Sequence, residues 1–346
     1  MKANPLSKDL THIYDKTFFL WDELREQRIF ITGGTGFFGC WLLESFLWMN
    51  DVLNLNAKAT ILTRNIDNFA NKYPHLYHQT SLSFCEGDVK GFEFPAGKFS
   101  HIIHAATDTN TSLNNENPLG LFATISEGTA HMFEFAKHAQ AKKFLLTSSG
   151  AVYGKQPENL SHLPETYLPQ LHLFDSKSTY ALGKCAAEHL SYLQARHSGL
   201  DIKIARCFAF VGPYLPLDGH YAIGNFISDG LKANPIQVKG DGTPLRSYLY
   251  AADLAVWLWT ILFSGKSLHP YNVGSDEAYS IAEIAYLVAN SYETPLIVNI
   301  LEEKKSGAPI ERYVPNIQRA KAELNLKPYK KLMDAIKSTK EWCLQS

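Results

Sequence analysis

The sequence predicts an α/β fold in which a doubly wound parallel sheet is followed by a smaller C-terminal α/β lobe. Two observations support this prediction. Apolar, β-branched segments that suit buried strands alternate with segments of helical periodicity as far as Arg206. Beyond Arg206 the alternation stops at a stretch rich in Gly, Pro and Tyr, "FVGPYLPLDGHYAIG", which indicates the start of the second lobe.

The predicted elements follow one another along the first domain. Strands are expected at "RIFIT", "KATILT", "LSFCEG", "HIIHAA", "KFLLTSS" and "IKIARCF". Helices are expected from about Gly36 to Asn50, about Leu119 to Ala139 and about Thr179 to Ser198, and an amphipathic stretch, "LTHIYDKTFFLWDEL", is expected to pack on the outside of the first domain. The expected boundaries are an N-terminal helical extension at 1–27, a first domain at 28–206 plus about 250–275, and a second lobe at about 207–249 plus 276–346.

The composition excludes several classes of protein. Of 346 residues 45% are hydrophobic, which suffices for a large buried core. Lys plus Arg (33) nearly balance Asp plus Glu (34), and no basic block suggests a nucleic acid or an anionic membrane as partner. The longest apolar runs fall short of the roughly 20 residues of a membrane span, and "MKANPLSKDL" lacks a signal-peptide core, so a cytoplasmic protein is expected. His101 and His104 have a spacing that puts them on opposite faces of a strand, and no metal site is expected.

A glycine-rich turn follows the first strand. The stretch "RIFITGGTGFFGCWLL" places Gly33, Gly36 and Gly39 three residues apart between a strand and a helix. Glycines permit a tight turn and a close backbone approach, and the bare amides of a helix N-terminus attract an anion. The turn, with Phe37 and Phe38, therefore predicts a site for the pyrophosphate of a dinucleotide, as in a Rossmann domain.

Three later loops belong to the same expected pocket. Arg64 follows the second strand, where an acidic residue would hold the ribose of NAD, and its guanidinium suits the 2′-phosphate of NADP. Asp67 lies close by in the sequence and could serve the ribose of NAD instead, so both cofactors stay open. The loops after the third and fourth strands supply the further candidate cofactor contacts, which are Asp88, Val89, Ala105 and Ala106.

The candidate chemistry lies in two segments. "LLTSSGAVYG" ends a strand with Ser148 and Ser149, and "DSKSTYALGKCAAEHL" places Tyr180 and Lys184 four residues apart on one helix face. A nearby lysine lowers the pKa of a tyrosine because it favours the phenolate, and a serine hydroxyl can hold a substrate oxygen. Ser149, Tyr180 and Lys184 therefore predict a proton relay for a carbonyl or an alcohol.

These motifs together resemble a known family. "GGTGFFG", "GDV", "HAA", "SSGAVYG", "YALGK", "GDGTPLRSYLY" and "AADLA" have the order and spacing of the extended short-chain dehydrogenase/reductases of the NAD-dependent epimerase/dehydratase type, over roughly residues 28–325. The resemblance implies that Ser149, Tyr180 and Lys184 are catalytic, with Tyr180 as general acid or base. It also implies that the second lobe binds a nucleotide diphosphate sugar. The candidate substrate contacts are Arg246, which is expected near the diphosphate, with Thr107, Ser148 and Asn225.

The resemblance also bears on reaction and assembly. The 4,6-dehydratases of this family carry an Asp-Glu pair after the catalytic Ser or Thr, and the nucleotide-sugar decarboxylases carry a Glu, where this sequence has Gly150 and Ala151. The remaining Ser-Tyr-Lys set suffices for hydride transfer at one carbon. Members of the family pair the helix that bears the catalytic Tyr and the preceding long helix across a two-fold axis, so a homodimer is expected.

The expected function is therefore NAD(P)-dependent hydride transfer on a nucleotide-activated sugar, at carbon 4. Arg64 favours a reductase that consumes NADPH on a 4-keto sugar. The alternative is a 4-epimerase that retains a tightly bound NAD. A dehydratase, a decarboxylase and a non-catalytic nucleotide-binding protein also stay open.

Overall fold

The chain forms two compact units in the computed structural model, which describes residues 4–107, 116–219, 221–303, 307 and 309–345. The first unit comprises Met1–Val152, Leu171–Arg206 and Ala255–Tyr271. The second comprises Tyr153–Gln170, Cys207–Leu254 and Asn272–Ser346. Within the described residues, no helix is both long enough and apolar enough to cross a membrane.

Strands and helices alternate along the first unit. The strands are β1 (Arg28–Thr32), β2 (Lys58–Thr63), β3 (Leu82–Glu86), β4 (His101–His104), β5 (Lys143–Ser149) and β6 (Asp201–Cys207). The α-helices are α1 (Ser7–Thr17), α2 (Phe37–Val52), α3 (Ile66–Lys72), α4 (Pro74–Tyr77), α5 (Pro118–His138) and α6 (Thr179–Ser198). Short 3-10 helices span Phe18–Leu24, Gly150–Tyr153 and Ser176–Ser178.

The second unit contains shorter strands. They are β7 (Phe210–Val211), β8 (Ile236–Val238), β9 (Leu245–Arg246), β10 (Leu249–Tyr250), β12 (Tyr279–Ser280), β13 (Val298–Ile300) and β14 (Arg312–Tyr313). Its helices are α7 (Ala222–Leu231), α9 (Ile281–Ala289), α10 (Gln318–Leu324) and α11 (Leu332–Gln345). Two further elements, α8 (Ala251–Ser264) and β11 (Tyr271–Val273), contain a unit boundary, as do β6 and the 3-10 helix Gly150–Tyr153 at their last residues.

The order of the seven-stranded sheet is β3-β2-β1-β4-β5-β6-β11. β1 pairs in parallel with β2 and with β4, β2 pairs with β3, and β4 pairs with β5. The chain winds outward from β1 in one direction and from β4 in the other, and such sheets bind ligands at the carboxyl ends of the strands where the direction reverses. The predicted doubly wound α/β fold is confirmed.

Aromatic rings fill one side of this sheet. The ring centre of Phe30 on β1 lies 4.5 Å from that of Phe135 on α5 and 5.4 Å from that of Phe92. All three side chains are buried. Because burying one such side chain contributes about 1.5–3 kcal/mol, this cluster fixes α5 against β1 and supports the strand ends that carry the candidate site.

The N-terminal segment belongs to the first unit. The sequence predicts one amphipathic stretch there, whereas the structure divides it into α1 and the 3-10 helix that follows directly. Trp21 is fully buried, with its ring centre 4.5 Å from that of Trp259. Glu23 binds Lys143 at 2.8 Å and His101 at 3.0 Å. The segment therefore covers the amino ends of β4 and β5, where these two basic residues are the first residues of their strands.

Several predicted boundaries agree with the structure. The strands "KATILT" and "KFLLTSS" coincide with β2 and β5, and α6 spans the predicted Thr179–Ser198. α2 begins one residue later and ends two residues later than the prediction from Gly36 to Asn50. The segments with strong periodicity are thus the ones whose bounds the pattern determines.

Candidate functional site

The glycine turn after β1 is shaped by contacts that exclude side chains. Gly33 has a φ of +69°, and a Cβ placed there would lie 2.5 Å from the backbone oxygen of Ala105. A Cβ at Gly39 would lie 2.3 Å from the oxygen of Gly33, whereas a Cβ at Gly36 would meet that oxygen only at 3.5 Å. Gly33 and Gly39 are therefore required by packing, whereas a Cβ at Gly36 would make an ordinary van der Waals contact.

α2 begins at Phe37, and no side chain caps its first turn. Gly36 is the N-cap residue, and its carbonyl accepts from the amide of Cys40 at 2.8 Å. A helix whose first turn lacks a side-chain cap presents its amides to an anion. The predicted pyrophosphate contacts at Gly36, Phe37 and Phe38 thus lie at a helix N-terminus of the required kind.

A chain of hydrogen bonds holds the two strand ends beside the glycine turn. The Thr32 hydroxyl lies 2.8 Å from Nδ1 of His104 and accepts from the amide of Ala106 at 3.0 Å. Nε2 of His104 lies 3.2 Å from the hydroxyl of Thr129, which donates to the carbonyl of Ile125 at 2.6 Å. Burial lowers the pKa of His104 to about 3, so the imidazole is neutral at pH 7. A neutral ring that accepts at Nδ1 and donates at Nε2 satisfies every partner in this chain.

The remaining predicted cofactor contacts occupy loops at the same edge of the sheet. Ala105 and Ala106 directly follow β4, and the amide of Ala105 donates to the carbonyl of Thr32 at 3.2 Å. Asp88 is exposed and accepts from the amide of Lys90 at 3.0 Å, which closes the turn after β3.

Val89 and Arg64 differ sharply in exposure. The Val89 side chain is buried, and a Cβ at Gly128 of α5 would lie 2.8 Å from it, so it packs between the loop and that helix. Arg64 is exposed immediately after β2, and within the described residues its guanidinium has no hydrogen bond or ion pair. Asp67 is exposed in the first turn of α3.

Ser149 is the last residue of β5, and its hydroxyl is oriented by the turn that follows. Its Oγ accepts from the amide of Ala151 at 3.1 Å, within the 3-10 helix Gly150–Tyr153. An oxygen that accepts a backbone amide keeps its own proton for donation. Ser149 is thus oriented to donate a hydrogen bond to a substrate oxygen.

Tyr180 and Lys184 lie on successive turns of α6. Nζ of Lys184 lies 5.9 Å from the centre of the Tyr180 ring. The ammonium is buried and donates to the carbonyl of Thr147 at 2.8 Å and to the hydroxyl of Thr107 at 2.6 Å. The cation is therefore held between the end of β5 and the loop after β4, close to the phenol that the sequence predicts it to activate.

Sequence reasoning misses the residues that support this arrangement. Glu188, one helical turn beyond Lys184, accepts from the hydroxyl of Ser148 at 2.5 Å and binds Arg206 with an Nη2–Oε2 distance of 2.6 Å. The signal in the sequence is the spacing of four residues, which continues the Tyr180–Lys184 face of the helix. The sequence predicts that Ser148 contacts substrate, and in the structure its hydroxyl is bound to this carboxylate.

The second unit contains a cavity of about 800 Å³. Asn225 on α7, predicted to contact substrate, lines it together with Gln237 of β8 and five charged residues, which are Asp218, Asp229, Lys232, Lys239 and Asp241. Oriented with its amide nitrogen toward the loop before α7, Asn225 donates to the carbonyls of residues 219 and 217 at 3.1 and 3.2 Å. The cavity is thus lined by both apolar and polar groups, and it has the size that a small organic ligand requires.

Arg246 lies on β9 of the same unit. Its guanidinium binds the carboxylate of Glu311 at 2.5 Å, and the Glu311 side chain is 56% exposed. Arg246 is not among the described residues that line the cavity. An ion pair with such an exposed partner is weak, so the guanidinium can exchange it for another anion.

The described part of the chain contains no group of three or more His, Cys, Asp or Glu side chains arranged to hold a metal ion.

Residues 29–274 match the model of the NAD dependent epimerase/dehydratase family, which is more than half of the chain. The chain belongs to this family. The resemblance carried by its motifs is confirmed.

Two curated relatives illustrate the family's similarity to this chain. UDP-glucuronic acid decarboxylase 1 of Arabidopsis thaliana is 29% identical over 305 residues, which cover 87% of this chain and 66% of the relative. The chain therefore spans slightly less than two thirds of that relative. UDP-glucuronic acid decarboxylase 1 of Xenopus tropicalis is 26% identical over 339 residues, which cover 98% of this chain and 77% of the relative.

Two solved structures share the fold of this chain. An epimerase from Methanothermobacter thermautotrophicus has a TM-score of 0.79 at 18% identity and covers 96% of both chains. UDP-glucuronic acid 4-epimerase from Bacillus cereus, in complex with UDP-glucuronic acid and NAD, has a TM-score of 0.77 at 20% identity and covers 92% of this chain and 99% of that one.

Proposed function

We propose that this protein is an NAD(P)-dependent oxidoreductase that transfers a hydride at carbon 4 of a nucleoside-diphosphate sugar, and that it reduces a 4-keto sugar with NADPH. The observation that carries the proposal is the position of Lys184, whose ammonium is buried between the end of β5 and the loop after β4, one turn from Tyr180. A buried cation beside a phenol, next to an oriented serine hydroxyl, is suited to moving a proton at a substrate oxygen.

Ser149, Tyr180 and Lys184 have different roles at the substrate oxygen. The Ser149 hydroxyl, fixed by the amide of Ala151, donates a hydrogen bond to the substrate carbonyl. The Tyr180 phenol gives its proton to the same oxygen in reduction and takes one in oxidation, and the positive charge of Lys184 stabilises the phenolate left behind. A bound nicotinamide supplies or accepts the hydride.

The residues of the first unit fit a dinucleotide. A glycine turn that excludes side chains at Gly33 and Gly39, and a helix that begins at Phe37 without a side-chain cap, form a cradle for a pyrophosphate. The small side chains of Ala105 and Ala106 leave space for a ligand at the end of β4. These residues would hold the cofactor against the carboxyl ends of β1 and β4.

Arg64 supports NADPH as the cofactor. Its guanidinium is exposed at the end of β2 with no bond to another group of the described chain, so no competing carboxylate has to be displaced. Arginine pairs strongly with phosphate because its donors match two oxygens at once. A consumed NADPH suits a reductase, whereas an epimerase needs only a retained NAD.

The curated relatives named above are decarboxylases, and two residues argue for a different outcome here. Gly150 and Ala151 occupy the turn after Ser149, so this turn offers no carboxylate for elimination or decarboxylation. The cavity in the second unit, with Asn225 in its wall, is the proposed place for the nucleotide of the substrate.

The test combines a substrate panel with one substitution. Purified protein is supplied with nucleoside-diphosphate 4-keto sugars and either NADPH or NADH, and the loss of absorbance at 340 nm is followed. Arg64→Ala should raise the KM for NADPH about ten- to a hundred-fold and that for NADH less than about two-fold. Lys98→Ala, which removes an exposed cation elsewhere on the first unit, is the matched control and should change neither constant.

A 4-epimerase is the second candidate, and Asp67 is the observation that favours it. This carboxylate is exposed three residues beyond Arg64 and can reach a ribose hydroxyl instead of a phosphate. The Bacillus cereus 4-epimerase of the same fold is described with NAD. Protein that retains one equivalent of NAD through purification and interconverts two sugars without added cofactor would establish this alternative and refute the reductase.

We also propose that the protein is a homodimer that pairs through α5 and α6. Four large apolar side chains on these helices are exposed by 39% to 85% in the single chain, and they are Leu119, Phe122, Tyr192 and Leu193. Burying them against a second copy would remove this area from water. A mass of twice 38.8 kDa by light scattering at micromolar concentration is expected, and a monomer would contradict the proposal.

A further inference from the structure

The Glu188 carboxylate is held from two sides. Arg206 on β6 donates Nε to Oε1 at 2.9 Å and Nη2 to Oε2 at 2.6 Å, which is a bidentate ion pair. Ser148 on β5 donates its hydroxyl to Oε1 at 2.5 Å. The side chains of Glu188 and Arg206 are each only 12% exposed, so their attraction is weakly screened by solvent.

These bonds fasten α6 at a second point. Lys184 already ties the helix to the carbonyl of Thr147, and Glu188, one turn further along, ties it to the neighbouring residue Ser148. One tether allows a helix to rotate about the point of attachment, whereas two tethers one turn apart determine its rotation and its axial position. Ser149 follows Ser148 on β5. The same contacts therefore set the distance between the hydroxyls of Ser149 and Tyr180.

The charge of Glu188 is needed for this fastening. A glutamine has nearly the same shape and still offers an oxygen to Ser148, but it cannot neutralise Arg206. A buried guanidinium whose paired carboxylate becomes neutral shifts toward water or another acceptor, and the residues packed against it shift as well. The neutral variant therefore weakens the attachment of α6 to both strands without emptying space in the core.

We propose that Glu188 is a positioning residue for the hydride-transfer site, which acts by clamping α6 to the ends of β5 and β6 so that Tyr180 and Ser149 meet the same substrate oxygen. The proposal rests on the function proposed above. An ordinary buried ion pair would contribute only to stability. A positioning residue also changes the rate of the chemical step, because a displacement of about 1 Å can cost about a hundred-fold in rate.

Glu188→Gln in the full chain is the test, and Glu23→Gln is its matched control. Glu23 binds Lys143 at 2.8 Å, and Lys143 is the first residue of β5, the strand that carries Ser148 near its other end. Both substitutions therefore remove a carboxylate charge that is paired with a basic side chain in the first unit. Glu188→Gln should lower kcat about ten- to a hundred-fold, with the KM for the sugar nucleotide and the Kd for cofactor changed by less than about three-fold. Glu23→Gln should lower the unfolding temperature and leave kcat within about two-fold.

Hydrogen exchange gives a readout that needs no turnover. Amides in the first turns of α6, residues 179–187, should exchange at least about ten-fold faster in Glu188→Gln than in wild type. Their exchange rates should be unchanged in Glu23→Gln. If the wild type turns over no substrate of the panel, the proposed function fails, and the exchange rates alone decide whether the clamp exists. Unchanged exchange in Glu188→Gln, or an unchanged kcat in an active protein, would overturn the proposal.

Ser148→Ala covers the case in which Glu188→Gln does not fold. It keeps the ion pair with Arg206 and removes only the link to β5. A clamp predicts a kcat lower by about three- to ten-fold with unchanged KM. A raised KM with unchanged kcat would instead establish Ser148 as a substrate contact and remove it from the clamp, which would contradict the proposal.

Discussion

The two ends of the parallel sheet in the first unit use polar residues in different ways. At the amino ends of β4 and β5, His101 and Lys143 both bind the carboxylate of Glu23. At the carboxyl ends, His104 and Lys184 bind hydroxyls and carbonyls of the chain that surround the glycine turn and Ser149. The amino ends of β4 and β5 are thus linked through one carboxylate, whereas the carboxyl ends combine the Glu188–Arg206 ion pair with oriented hydroxyls and carbonyls around the proposed ligand site.

The largest effect is expected from a methyl group added in the glycine turn. Gly33→Ala places a Cβ 2.5 Å from a backbone oxygen at a φ of +69°, and it should lower the free energy of unfolding by about 3 kcal/mol and abolish cofactor binding. Gly199→Ala has a similar φ of +68° but meets nothing within 4 Å, so only the backbone cost of about 1 kcal/mol is expected. Urea unfolding and cofactor titration measure both variants. Equal losses of stability would show that the close approach at the carboxyl end is unimportant.

The buried imidazole at the carboxyl end should make stability depend on pH. The pKa of His104 is about 3 in the folded protein and about 6.5 when unfolded, so below pH 6.5 the unfolded state binds the extra proton and stability falls. The stabilisation that the neutral His104 provides is lost progressively from pH 6.5 downward, by at most about 1.4 kcal/mol per pH unit. His104→Gln should flatten the change in unfolding free energy between pH 7.5 and 5. His78→Gln, at an exposed position, should keep the wild-type dependence of unfolding free energy on pH. The same wild-type dependence in His104→Gln would show that His104 is not the group responsible.

The smallest effect is expected at the amino end. Burial raises the pKa of Glu23, but its bonds to His101 and Lys143 outweigh burial and hold the pKa at about 2. A carboxylate with a lowered pKa stabilises the fold above its unfolded value near 4.5, and this contribution disappears as the pH falls toward 2. Glu23→Gln should cost about 1 kcal/mol at pH 7, because the pair is partly exposed, and the difference from wild type should shrink in acid. A difference that persists at pH 2 would show that packing, not charge, matters there.

The sequence predicts the parts of the fold that have a long or strong pattern. The strands of the first unit, α6 and the glycine turn follow from apolar periodicity and from residues that only a tight turn requires. The strands of the second unit could not be predicted, because β7, β9, β10, β12 and β14 have two residues each and show no alternation.

The candidate site is predictable to a similar degree. Tyr180 and Lys184 are recognisable by their spacing on one helix. The same spacing places Glu188 on that helix face, but it does not reveal its partner Arg206, which lies on β6. The division of the N-terminal stretch into two helices also depends on a tertiary contact, the burial of Trp21 against Trp259. Spacing thus reveals residues on one element, whereas the partners across elements require the fold.

Tyr180→Phe tests most directly the proposal that Tyr180 moves a proton at the carboxyl end of the sheet. The substitution removes one hydroxyl, and Tyr286→Phe removes the same group from an exposed position on α9 as control. We measure kcat on the best substrate of the panel and the Kd for cofactor in all three proteins. We expect Tyr180→Phe to lower kcat at least about a hundred-fold and to leave cofactor affinity nearly unchanged, and we expect Tyr286→Phe to equal wild type. More than about a tenth of wild-type kcat in Tyr180→Phe, a barrier change below about 1.4 kcal/mol, would contradict it.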